Sequence, residues 1–109
     1  MSENIYLGQY STGISDNRLK VCISNKQGNT PRVRVFIKDS ISQKSKCLKI
    51  TIEKDPIIYY NTLNLPIEIL KEIRLWVYLN YPVLLELWNE DTDYFNTLHY
   101  LNMLRRIDE

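Results

Sequence analysis

The period of the apolar residues changes once along this chain, and the change falls at Pro66. Before it, hydrophobic side chains alternate with polar ones every second residue, the mark of half-buried strands; after it they recur every three or four, the mark of helices. A chain that keeps its strands in one half and its helices in the other is an α+β domain, with helices laid on one face of an antiparallel sheet. At 109 residues there is room for one such domain, made of a strand-rich half over 1–61 and a helical half over 62–109.

The strands follow from the alternation. In RLKVCIS, Leu19, Val21 and Ile23 point inward while Lys20, Cys22 and Ser24 point outward. After the turn residues NKQGNTP, the stretch PRVRVFIKD turns Val33, Val35 and Ile37 inward and Arg32, Arg34, Phe36 and Lys38 outward. KCLKITIEK buries Leu48, Ile50 and Ile52 and exposes Cys47, Lys49 and Thr51, and IIYYN follows Pro56. With the weaker opening segment IYLGQYST, the sheet has three to five strands.

In the helical half, Pro66 suits a first helical turn with Asn64 or Leu65 at the boundary. Leu70, Ile73, Val77, Tyr81, Leu84 and Trp88 then form one apolar stripe, widened by Ile69, Trp76, Val83 and Leu87. Pro82 interrupts it. A proline inside a helix removes a hydrogen bond and crowds the carbonyl four residues back, at about 3 kcal/mol, so the expectation is helices broken at Pro82, over about 66–80 and 82–90. Asp91 or Thr92 would cap a last helix over about 93–107, with Phe95, Leu98, Leu101 and Leu104 on one side.

Charge is divided in the same way as structure. Up to Lys54 ten basic residues stand against four acidic ones, a balance of +6, and from Asp55 onward four stand against nine, a balance of −5. Such polarity bears on partners more than on fold. No apolar run is long enough to span a bilayer and the opening MSENIYLGQYSTG lacks a signal peptide's basic flank and apolar stretch, so the expected compartment is the cytoplasm, with no membrane partner. Cys22 and Cys47 then read as two half-buried reduced thiols rather than a disulfide.

Four sets of side chains compete as sites. The outward row Arg32, Arg34, Phe36 and Lys38, joined by Lys20 and Lys49 if their strands are neighbours, combines cations with an aromatic, as phosphate neutralisation and base stacking require. The plain alternative is a solvated sheet face. Glu86, Glu90, Asp91 and Asp93 form an acidic surface that would hold a hard cation or meet a basic partner, against the simpler role of capping the next helix. Leu75, Tyr78 and Leu79 fall off the helical stripe and read as a partner or dimer contact. A nucleophile would need Cys22 or Cys47 beside His99, the only histidine, which reads better as partly buried and structural. No metal site, cofactor loop or catalytic set emerges, so the chain reads as a non-enzyme without cofactors.

Finally, TPRVRVFI, KITIE, the bend LNLP and LNYPVLLELWNEDTD resemble a family of small uncharacterised bacterial proteins, some encoded beside toxin–antitoxin-like partners. That family carries a Pro-x-Val-x-Val strand, usually with histidines at the x positions, and a helix ending in Leu-Leu-x-x-Trp; here Pro31, Val33 and Val35 match the one and Leu84, Leu85 and Trp88 the other. Arg32 and Arg34 stand where the histidines would be, so no metal or acid–base role carries over. The resemblance implies a small sheet with C-terminal helices. Polarised charge and surplus Tyr, Trp and Arg point to a binding protein of bacterial or mobile-element origin, a regulator or inhibitor docking on a protein, with a homodimer also open. An RNA- or DNA-binding module using Arg32, Arg34, Phe36 and Lys38 is the alternative.

Overall fold

The structure, a computed structural model, describes residues 4–24, 30–89 and 94–109. Five strands, β1 (Asn4–Leu7), β2 (Leu19–Ser24), β3 (Arg32–Ile37), β4 (Leu48–Thr51) and β5 (Ile58–Asn61), form one antiparallel sheet in the order β1-β2-β3-β4-β5. A short helix, α1 (Gln9–Thr12), stands between β1 and β2, and α2 (Ile67–Asn89) and α3 (Tyr94–Met103) follow the sheet. The α+β architecture read from the change of period is the observed one.

The opening segment differs from the expectation of a single strand. Only Asn4–Leu7 is extended; Gly8 ends the pairing and its carbonyl accepts hydrogen bonds from the Ser11 and Thr12 amides, starting α1. Gly13 closes α1 at φ 75°, a left-handed conformation that glycine adopts without penalty, where a side chain would also strike Asp108. Asn64 takes a similar backbone at φ 53°, tolerable for Asn, and makes the bend before α2. The Pro66 carbonyl accepts from the Leu70 amide, so Pro66 itself is the boundary of the helix.

One face of the sheet and one stripe of α2 make the core. Leu19, Val21, Ile23, Val33, Val35, Leu48 and Ile50 are buried against Ile73, Trp76, Val77, Leu84, Leu87 and Trp88, and Tyr100, Leu101 and Leu104 pack on the margin. Both tryptophans are therefore core. Trp76 is fully enclosed, and its indole N–H finds no acceptor among the described residues.

Against expectation, α2 is not broken: it runs through Pro82 without interruption for 23 residues, roughly 34 Å. The reason is where the defect falls. Pro82 and Tyr78 both lie on the exposed side, so the carbonyl deprived of its amide partner faces water, while the buried stripe continues on both sides of the proline and holds the two halves to the sheet. Pro82→Ala should accordingly stabilise the protein by about 1–3 kcal/mol, because it restores the hydrogen bond without touching the core. The measurement is the urea midpoint; a lower midpoint would mean that the helix depends on the proline.

Asn80 occupies a position that the spacing of Ile73, Val77 and Leu84 gives to an apolar residue, and it is buried. Its amide donates to the Trp76 carbonyl at 2.8 Å and to the Arg105 carbonyl at 2.9 Å, and its oxygen accepts from the Arg105 amide at 2.7 Å. That pair of bonds straps the segment after α3 to the middle of α2. Farther on, the Ile107 amide donates to the Thr12 carbonyl and Arg106 to the Tyr10 carbonyl, so the same segment reaches α1.

Candidate functional site

The face of the sheet turned away from α2 carries the cations. The registers of the four strand pairs align Tyr6, Cys22, Arg34, Lys49 and Tyr60 in one row across all five strands, a tyrosine at each end and two cations side by side within it. Lys20 lies opposite Phe36 on one side of that row, and Arg32 opposite Thr51 on the other. Arg34 and Lys49 face each other directly, an arrangement that repels by some tenths of a kcal/mol up to about 1.

Among the described residues nothing acidic is paired with them. No residue of the five strands is Asp or Glu. Among the described residues the ion pairs are Arg18–Asp16 and Arg106–Asp108, away from this face, and none involves Lys20, Arg32, Arg34 or Lys49. Aromatic rings and neutral groups hold the cations instead. The Arg34 guanidinium lies 5.6 Å from the Phe36 ring centre and donates to Asn4 Oδ1 at 3.3 Å and to the Cys22 sulfur at 3.5 Å. Lys49 Nζ is 4.9 Å from the Tyr60 ring centre, and the Arg32 guanidinium is 5.6 Å from that of Trp88. Cation–π contacts of this kind fix the position of a charge without neutralising it.

Two members of the predicted row behave differently. Phe36 was expected to face water, but it is buried, 1% exposed, in a second small cluster with Cys22 and Cys47 on which Ile41 and Tyr60 pack. The chain between β3 and β4 supplies its cover, and Tyr6 flanks it with ring centres 6.5 Å apart. Lys38 is not on the strand at all: it opens a one-turn 3-10 helix, Lys38–Ser40, and is exposed there. Lys20, Arg34 and Lys49 remain as the shared basic face, and Arg32 stands at its end with its guanidinium against the Trp88 ring of α2.

The cysteines are both free and fully buried rather than half-buried. They sit on strands β2 and β4's leading end, on either side of Phe36's strand, which keeps them from bridging. Burial raises both thiol pKa values, and for Cys22 it prevails over the nearby Arg34, which pulls the other way. Burial, and secondarily Cys22, likewise raises that of the Tyr6 phenol. Two neutral, enclosed thiols are poor nucleophiles. His99 is exposed on α3 beside Tyr100, a correction to its expected partial burial, and stands on the helical side of the sheet, opposite the thiols.

The remaining candidates separate. Leu75 and Tyr78 are exposed at 43% and 48%, and Leu79 is half-buried. Glu86 is exposed and accepts a long hydrogen bond from the Tyr100 hydroxyl, whereas Glu90, Asp91 and Asp93, with the expected caps Asp91 and Thr92, lie outside the described residues. Among the described residues no three His, Cys, Asp or Glu side chains converge on a metal position, and no helix is long and apolar enough to cross a membrane.

What the strand patterns alone do not supply is register. Tyr6 and Tyr60 join the basic row only because each strand pairs in one alignment, and Tyr59 is placed by an irregularity: Lys49 pairs with Tyr60 and Ile50 with Ile58, leaving Tyr59 as the extra residue of a bulge. The two consecutive tyrosines in IIYYN were the available signal. No protein-family model, curated protein or solved structure matches the chain.

Proposed function

We propose that the outer sheet face binds a nucleic acid through its phosphates. The observation that carries this is the direct pairing of Arg34 with Lys49, flanked by Lys20 and Arg32, on strands without a single carboxylate. A sheet that only needed solubility would intersperse charges of both signs, since like charges opposite each other weaken strand pairing. Released counterions offset that repulsion when a polyanion binds, and Tyr6 and Tyr60 at the row's ends add rings on which bases stack.

The test is a salt titration of binding to a fluorescent single-stranded oligonucleotide. Each phosphate contact contributes about 0.7 to the slope of log K against log salt. Arg34→Gln combined with Lys49→Gln should flatten that slope by about 1.4 while melting changes little, because the glutamines keep most of each stem's packing. An unchanged slope, or no retention of the parent protein on nucleic acid at low salt, ends the proposal.

A second reading, docking on a protein as a regulator or inhibitor, is favoured by a different surface. Ile67, Leu75 and Tyr78 are exposed along one side of α2, at spacings of eight and three that share a helical face. Capture of a protein that survives nuclease treatment and is lost on Leu75→Ser with Tyr78→Ser would select this reading.

A further inference from the structure

We infer that the basic face is built for single strands, with one base seat at its β5 end. This rests on the nucleic-acid reading above and adds the class of ligand to it. A hollow of about 390 Å³ opens beside Arg32, lined by Thr30, Arg32, Thr51 and Tyr59, at the small end of the usual range for ligand sites of roughly 300–1,000 Å³.

The bulge makes the seat. Because Tyr59 is the residue left over between the Lys49–Tyr60 and Ile50–Ile58 pairs, its ring leaves the alternation of β5 and stands at the hollow, 51% exposed. The segment that carries it is fixed: the Thr51 amide donates to the Ile57 carbonyl at 3.0 Å, and the Ile57 amide donates to Thr51 Oγ1 at 2.8 Å. The backbone leading to Tyr59 is held in this way, and the half-exposed ring beyond it offers a face on which a base can stack.

The wall of the seat is made of hydrogen-bond donors. Arg32 carries donors only, and its guanidinium is oriented by the Trp88 ring. Thr51 Oγ1 already accepts from Ile57, which leaves its hydroxyl hydrogen to donate. Donors beside the ring meet acceptors that every base carries, such as guanine O6 and N7, cytosine N3 and O2, uracil O4 or adenine N7, so the seat takes a base without selecting among them. A base paired in a duplex cannot reach the seat without leaving the stack.

The experiment compares fluorescein-labelled U10, A10 and C10 RNA, and U10 annealed to A10, by anisotropy at low salt, for the parent protein, Tyr59→Ala and Tyr59→Phe. U10, A10 and C10 should each bind several-fold more tightly than the duplex. Tyr59→Ala should lower U10 affinity on the order of 5- to 100-fold, the equivalent of one lost base stack, and Tyr59→Phe should retain it. Duplex binding equal to that of the single strands, with Tyr59→Ala neutral, overturns the base seat and leaves the basic face standing. Failure of every oligonucleotide to bind overturns both.

Discussion

Trp88→Ala should cost the protein about 3–5 kcal/mol, enough to unfold a domain of ordinary stability at moderate urea. Trp88 is 1% exposed near the end of α2, and its ring closes the core against β3 while seating the Arg32 guanidinium. Removing it leaves a void that the rigid sheet cannot fill by moving inward. The matched control is Leu75→Ser with Tyr78→Ser on the same helix, where both side chains are half exposed and the loss should stay near 1 kcal/mol. Urea midpoints of the two variants measure the contrast directly. Equal losses would mean that the solvent side of α2 is covered in solution, by a second copy or another protein, and would shift weight to the docking reading.

Asn80→Ala should destabilise by about 2–4 kcal/mol, more than a surface amide ever does. The change removes three hydrogen bonds at once and leaves the Arg105 amide and carbonyl without their partner. Asn80→Leu, though it suits the apolar spacing of its neighbours, should be no better, since filling the volume does not satisfy those groups. Hydrogen exchange gives the specific readout: the Arg105 amide should lose protection in both variants before the strand amides do. A leucine variant more stable than the parent would show that the strap contributes nothing.

These two residues mark how far the sequence could be read. Trp88 is legible, because it falls on a stripe with Val77 and Leu84 at helical spacing, and the same periodicity placed Leu75 and Tyr78 outside the core. Asn80 sits in that stripe too, between Val77 and Leu84, but a polar residue on an apolar face signals only that some partner exists, and Arg105 lies 25 residues away. Pro82 was misjudged for a related reason: local propensity argues for a break, and the burial of residues on both sides overrides it. At the candidate site, alternation located Lys20, Arg32, Arg34 and Lys49 on one face, whereas the covering of Phe36 by Ile41 and Tyr60 arises from a connection whose path no periodicity encodes. The base seat depends on a single bulge, which a two-residue period cannot express.

The order of the strands has a consequence for how the chain reaches this structure. Each strand pairs only with its neighbour in sequence, so every step of sheet formation closes a short loop, and the sheet can assemble by successive hairpins from its beginning onward. The helix that covers it comes later in the chain. Until α2 lies down, Val21, Val35 and Ile50 present one open apolar surface, the kind of transient face through which nascent chains stick to one another. That surface closes when α2 docks, and Trp76 and Trp88 are the largest side chains that cover it.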